Sequence, residues 1–367
     1  MSYVYFRLPH STHVFRNRLS TEPEEIASLA ELNGRRGFVI APFAPSEDCP
    51  ILLLPTDWEE VKLCSEKAGP CSDQAMQNTD SGVSAMLLDA DYEEERRRYA
   101  IDFHNYHGQL TNDAFQKIVL ARCARLTATE KLSPLTLFAR ACHRYPRMFV
   151  ALFSTERSGT WLIATPETLI SGTDGAMQTM ALAGTMRLSG ANLDFDVEGG
   201  SIGKDDIRWS TKNIKEQRYV ETYITECVEQ FSDDVNVEGP FTVRAGDLVH
   251  LRSDIRFHLK DTAHLGNLIN ALHPTPAVCG MPKDATRNFI INNESGERNY
   301  YSGFSGLLDP NADTRLFVTL RCMQIEGEGE AYRLYAGGGL LKDSQCQAEW
   351  EETEAKMNTM RQLFKHI

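Results

Sequence analysis

The chain has 367 residues, of which 42% are hydrophobic and 24% charged, and its formal net charge is −13. Those proportions describe a soluble globular protein large enough for one big domain or two ordinary ones. They exclude two classes: a duplex binder needs a basic face, whereas the basic residues here are dispersed, and no apolar run reaches the ~18 residues of a membrane span.

The first twenty residues, MSYVYFRLPHSTHVFRNRLS, lack the uninterrupted apolar segment and small-residue cleavage site of a secretory signal, so the expected compartment is the cytoplasm. Nine scattered cysteines with no CxxC pair argue against a disulfide framework and a thiolate zinc site; Cys227 and Cys322 read as small core residues. Mixed strands are expected before residue 66. The breaker-rich stretch from Glu66 to Gly82 then reads as a surface loop. It could mark a domain boundary, but one domain over 1–367 is preferred, because the later strands have no self-contained pattern on either side.

A charged helix is expected near Asp91–Leu110, with Glu93-Glu94-Glu95-Arg96-Arg97-Arg98 as a solvated face. From residue 116 β-rich runs dominate: QKIVLARCARLTA, MFVALFS, TWLIATP, AMQTMALAGT, FTVRAGDLVHLRSDIRFHL, NYYSGFSGLL, TRLFVTLRCMQI and AYRLYAGGG. Helices are predicted at Leu135–Tyr145, Lys212–Phe231, Leu265–Leu272 and Gln347–Phe364. Strands that follow one another without an intervening helix favour antiparallel sheets with attached helices, an α+β fold, over a doubly wound one.

One glutamate breaks the helical pattern. Between Lys212 and Phe231 the residues Val220, Tyr223, Ile224, Cys227 and Phe231 form an apolar stripe at 100° per residue, and Glu216 falls inside it. A buried carboxylate is costly unless paired or holding a metal, which makes Glu216 a site candidate. In the last helix Glu349, Glu352 and Lys356 share a side. They read either as an exposed pair, Glu352 with Lys356, or as a half-site for a hard cation held by carboxylates.

Other signals are weaker one by one. The proline-punctuated loop Leu272–Gly280 holds His273 either as a satisfied capping histidine or in one functional pose. Gly337-Gly338-Gly339 after AYRLYA reads as a plain turn or as an anion nest. Lys117 and Arg321 are charges within apolar strand runs, and each either snorkels to solvent or serves a site. Gly199-Gly200-Ser201-Ile202-Gly203-Lys204 fails as a phosphate loop, since Glu198 stands where the first glycine belongs and Asp205 follows the lysine. GxGxxG, GxSxG and HExxH are also missing.

Together these pieces resemble the chorismate-utilising enzymes: isochorismate and salicylate synthases, anthranilate synthase large subunits and aminodeoxychorismate synthases. The resemblance rests on Gln116–Arg122, Thr165-Pro166-Glu167, Leu182-Ala183-Gly184-Thr185, the Glu216 helix, His273–Gly280, Tyr301–Gly306, Arg321, the glycine run, and Glu349-Trp350-Glu351-Glu352-Thr353 with Lys356. These follow the family's order over residues 116–356; residues 1–110 match loosely, leaving 111–367 as the catalytic core. The resemblance implies two large antiparallel sheets packed together with peripheral helices. It also implies Mg²⁺ held by Glu216, Glu349 and Glu352. Gly184, Thr185, His273, Arg321, Gly337, Gly338, Gly339 and Lys356 would bind chorismate.

Family members that add ammonia have glutamine at the position of Lys117; members that add water have lysine. The resemblance therefore implies an isochorismate synthase, with Lys117 as general base and Glu167 as general acid, serving menaquinone or siderophore biosynthesis. Alternatives are a salicylate synthase, which goes on to eliminate pyruvate, and a non-catalytic chorismate-binding paralogue. Ala183 stands where aminodeoxychorismate-forming members carry lysine. Departures from the family pattern are Gln217 after Glu216, Cys279, Gly-Gly-Gly-Leu in the glycine run, and a Gly/Asp-rich insertion comprising Arg187 and the segment Leu193–Asp206. No amidotransferase subunit, nucleic acid or membrane partner is expected, and the chain is expected to act as a monomer or weak dimer.

Overall fold

A computed structural model describes residues 2–19, 21–55, 57–62, 85–89, 91–187, 208–245 and 248–365. The expected loop Glu66–Gly82, the Leu193–Asp206 insertion and the Gly199–Lys204 run lie outside these.

Two antiparallel sheets organise the chain. In hydrogen-bonded order the first runs β15 (Gly280–Met281), β8 (Lys117–Ala128), β19 (Ala331–Leu340), β18 (Cys322–Glu326), β10 (Gly159–Thr165), β9 (Phe149–Thr155), β1 (Tyr3–Arg7), β2 (His13–Arg18) and β6 (Glu59–Lys62), with β7 (Leu87–Leu88) also on β8. The second runs β13 (Val235–Ala245), β14 (Leu248–His258), β12 (Ala176–Arg187), β11 (Thr168–Thr173), β17 (Asp313–Val318), β16 (Phe304–Leu308), β4 (Gly37–Ala41), β5 (Ile51–Leu54) and β3 (Glu24–Ile26). Alternation along each strand gives two apolar faces. The inner faces meet through Phe6, Phe38, Phe149, Trp161 and Phe317, with Phe149 and Phe317 stacked at 4.2 Å between ring centroids.

The outer faces are covered by helices. On the first sheet lie α2 (Pro134–Arg144) and α6 (Cys346–Arg361); on the second lie α3 (Thr211–Glu229) and α4 (Leu265–Leu272). Two more, α1 (Tyr92–Thr111) and α5 (Lys283–Asn293), pack near the β8 end. The α+β expectation and five helix positions hold to within a few residues. The helix α5 was not foreseen: its sequence, KDATRNFIINN, is rich in asparagine and buries only Thr286 and Ile290, so no apolar stripe announces it.

Three local expectations need correction. TRLFVTLRCMQI is not one strand: β17 ends at Val318 in the second sheet, β18 begins at Cys322 in the first, and Arg321 sits between them with φ of 46°. Gly337–Gly339 form neither a turn nor a nest; they lie inside β19, paired with Ala121, Leu120 and Val119 of β8, while β18 pairs with β19 only as far as Tyr335. The charged block of α1 is not wholly solvated, because Glu95 is buried against Arg122.

Candidate active site

The site is built where the chain passes between sheets. It crosses from β10 to β11 through Thr165-Pro166-Glu167 and returns from β17 to β18 through Thr319-Leu320-Arg321. The two crossovers are tied together: the Val318 N–H donates to the Glu167 carbonyl at 3.0 Å and the Ala164 N–H to the Arg321 carbonyl at 3.1 Å. That double tie sets Glu167 and Arg321 side by side at one rim of a cleft. Glu167, Gly184, Thr185, Glu216, Arg321, Gly337, Gly339 and Lys356 all line it, around some 640 Å³ of atom-free space partly open to solvent.

Glu167 is 3% exposed. Burial pushes its carboxyl up to about 8, against the opposing pull of Lys117, Lys356 and Arg321. The Arg321 guanidinium, also buried, donates to Thr359 Oγ1 at 3.2 Å and to His250 Nε2 at 2.8 Å. His250 was not singled out in the sequence, yet it lines the cleft. Burial first, then Arg321 and Lys356, hold its imidazole well below the usual range, so the neutral ring accepts from Arg321 through Nε2 and donates to the Gly184 carbonyl, at 3.1 Å, through Nδ1. In LVHLRSDIRFH this histidine falls in the same phase as Arg252, Asp254 and Arg256, so strand alternation gives no signal for it.

Gly184 adopts φ of 70° at a bulge where the β12–β14 register shifts between Ala183 and Thr185. Gln217, the departure from the family's histidine, clamps this bulge: its amide oxygen accepts from the Ala183 N–H at 2.9 Å and its NH₂ donates to the Ala181 carbonyl at 3.0 Å. The hydroxyl of Thr185 reaches Glu352.

Three carboxylates gather over β19. Ser210 caps α3, its Oγ accepting from the Asn213 N–H at 3.1 Å, and one turn on Glu216 enters the apolar face as the pattern predicts. Helix α6 supplies Glu349 and Glu352. Its orientation is held by Arg122, which donates to Thr353 Oγ1 at 2.7 Å and lies 3.7 Å over the Trp350 ring. Glycine is required beneath them: a Cβ on Gly339 would stand 2.1 Å from Glu216 Oε1, and one on Gly338 would stand 3.2 Å from Glu349 Oε2.

Each carboxylate meets a lysine. Lys117, fully buried, lies behind the cleft wall with Nζ 3.2 Å from Glu216 Oε1, and it donates to the Pro276 carbonyl at 2.8 Å. It is thus ion-paired, not simply stranded among apolar neighbours. Lys356 Nζ lies 2.7 Å from Glu352 Oε1 and 2.8 Å from the Gly337 carbonyl. Lys212, also unforeseen, pairs with Glu349. Burial and Glu352 push the Glu349 carboxyl up; burial acts likewise on Glu352, but Lys356 and Lys212 outweigh it and hold Glu352 low.

The carboxylates fit a hard divalent cation in donor type, and Glu349 Oε2 is buried with no hydrogen-bond partner among the described residues. With each acid turned to a lysine, no three ligand-type side chains among the described residues already stand around a common point. One candidate falls away: His273 is buried outside the cleft lining, its Nε2 3.1 Å from the Pro42 carbonyl and its ring edge-on to Phe304. Burial pushes it down to about 3, so it is a satisfied, neutral packing residue.

Two antiparallel sheets tied at paired crossovers, with Glu167 and Arg321 at one rim of a cleft and three lysine-paired carboxylates at the other, define an α+β protein with a densely charged buried site. The chain belongs to the chorismate binding enzyme family, whose pattern matches residues 57–365. It is similar to isochorismate synthase DhbC of Bacillus subtilis, with 30% identity over 262 residues covering 69% of this chain and 64% of that one. It is also similar to the salicylate biosynthesis isochorismate synthase of Pseudomonas aeruginosa, with 31% identity over 277 residues covering 75% of this chain and 56% of that one. In both, the match spans less than two thirds of the relative's length. The structure of DhbC from Bacillus anthracis shares the fold, with a TM-score of 0.79 at 20% identity over 99% of this chain and 95% of that one. No helix among the described residues is long and apolar enough to cross a membrane.

Proposed function

We propose that the chain is an isochorismate synthase, converting chorismate to isochorismate by addition of water at C2 and loss of the C4 hydroxyl. The observation that carries this reading is the pairing of Lys117 with an acid of the opposite character, Glu167, whose carboxyl is raised to about 8 and therefore holds its proton at neutral pH. Lys117 takes a proton from water, the water oxygen bonds to C2, the ring double bonds shift, and the C4–O bond breaks as Glu167 protonates the departing hydroxyl. The contacts of Lys117 with Glu216 and the Pro276 carbonyl belong to the resting site, and on this reading its side chain turns toward the cleft when chorismate binds. Passing the proton from Lys117 back to Glu167 through solvent closes the cycle, and water is neither gained nor lost overall.

Chorismate carries two carboxylates. Arg321, kept in place by His250 and Thr359, suits one of them with a fixed donor pair. Glu216, Glu349 and Glu352 would hold Mg²⁺, which when bound supplies positive charge for the other. Lys356 spans Glu352 and the Gly337 carbonyl and so orients this side of the cleft. We read residues 1–367 as a single unit acting without an amidotransferase subunit, since water and not ammonia is the nucleophile.

The test is incubation of the purified protein with chorismate, with and without Mg²⁺, and chromatography of the products. Isochorismate without pyruvate, formed only with Mg²⁺, is expected. Salicylate with one equivalent of pyruvate would move the chain to the lyase branch, and unconsumed chorismate under both conditions would leave a binding protein.

A further inference from the structure

The three lysine–glutamate pairs are not built alike. Lys117 and Lys356 each divide their ammonium between a carboxylate and a main-chain carbonyl, Pro276 and Gly337 respectively, and so are anchored. Lys212 has no main-chain acceptor among the described hydrogen bonds; its partner is Glu349 Oε1 alone. It stands in the first turn of α3 with its side chain 22% exposed, whereas Glu349 is 3% exposed. The Lys212 stem therefore leads outward, and the carboxylate it serves does not.

Glu349 is also incompletely satisfied. Its Oε2 is buried and has no partner among the described residues, although it faces Gly338 beside Glu352. A buried carboxylate is costly to ionise without a counter-charge, and Lys212 is the cation that stands at Glu349. An ammonium and a divalent cation cannot crowd one carboxylate without strong mutual repulsion. Lys117 is fully buried, and Lys356 is held by the Gly337 carbonyl as well as by Glu352, so Lys212 is the least anchored of the three lysines.

We propose that Lys212 is a resident counter-cation: it neutralises Glu349 while the site holds no metal and releases it when a divalent cation enters, so that metal uptake is an exchange of cations over a preformed carboxylate set. The inference rests on the reading that Glu216, Glu349 and Glu352 are the ligands. It explains how a cluster of buried acids keeps its fold without metal, and why no three of them already surround one point. Exchange also makes the site's charge conditional, because the full positive charge of the cation is presented only after Lys212 has swung away.

The experiment compares the full chain with Lys212→Met, which keeps the stem and removes the charge, and with Lys215→Met, an exposed neighbour on the same helix, as the control. Mg²⁺ is titrated into each by calorimetry, and the melting temperature is measured in a chelator and in saturating Mg²⁺. Lys212→Met should melt below the parent in chelator, recover in Mg²⁺, and bind Mg²⁺ roughly tenfold tighter or more, because Mg²⁺ then relieves an uncompensated buried charge. Lys215→Met should match the parent throughout. Equal or weaker Mg²⁺ binding by Lys212→Met, or a melting deficit that persists in Mg²⁺, overturns the exchange and makes Lys212 a positioning residue. If neither protein takes up Mg²⁺, the metal assignment fails and the exchange with it, while chorismate turnover separately decides the isochorismate synthase reading.

Discussion

On the proposed mechanism the acid and the base stand in unlike surroundings. Lys117 stands behind the cleft wall with two acceptors, and Glu167 stands at a crossover where burial outweighs three nearby cations. Replacing Lys117 by alanine should lower kcat by at least ~10²-fold, the usual scale for a general base; near-normal turnover of K117A would remove lysine from that role. For Glu167 the sign is fixed by its raised carboxyl. The acid form is required, so kcat should fall as pH rises through about 8. Glu167→Gln should lose turnover and that limb while still binding chorismate, and a persisting limb near 8 would assign it to another group. Both residues were legible in the sequence, as motif positions. His250 and Lys212 were not, because each acts through a partner distant in the chain, Arg321 in one case and Glu349 in the other.

At the scale of elements, the glycine run carries the clearest lesson. From sequence Gly337–Gly339 read as a plain turn or an anion nest, but they lie in the β19–β8 ladder, and their missing side chains leave room for the groups above them. A methyl at Gly339 would fall 2.1 Å from Glu216 Oε1 and 2.8 Å from the Lys117 Cε, both ends of flexible side chains. The strand should therefore survive Gly339→Ala while the two groups are pushed aside. The expected outcome is a melting temperature close to the parent and a loss of about 10²-fold or more in kcat/KM, the scale of a 1 Å misplacement. A melting temperature that falls sharply, with the remaining folded fraction fully active, would show that the glycine serves the sheet alone. The bulge at Gly184 belongs to the same scale: periodicity announces β12, but not the shifted register that turns the Gly184 carbonyl to His250.

Across the whole molecule, residues that match the family least are structurally central. Strand β1 pairs with β9 in the first sheet and β4 pairs with β16 in the second, so the N-terminal strands extend both sheets. Phe6 and Phe38, contributed by those two strands, lie 5.6 Å apart between the sheets. Sequence reading correctly expected two packed antiparallel sheets, yet left the first 110 residues without a role, because strand patterns name faces and not neighbours. A chain restricted to 111–367 would keep Lys117, Glu167, Glu216, Arg321, Glu349, Glu352 and Lys356. It would nonetheless bare the β9 and β16 edges together with the aromatic layer beneath Phe149 and Trp161. Open edges beside exposed apolar surface are templates for aggregation. The truncated chain should thus be insoluble or, if recovered, lack the near-ultraviolet circular dichroism of packed aromatics. In the full chain, loss of that signal in urea should coincide with loss of far-ultraviolet signal and of chorismate turnover. A soluble, active 111–367 fragment, or separate transitions for the two signals, would instead show that the N-terminal strands form a detachable unit and that the catalytic half closes its sheets by itself.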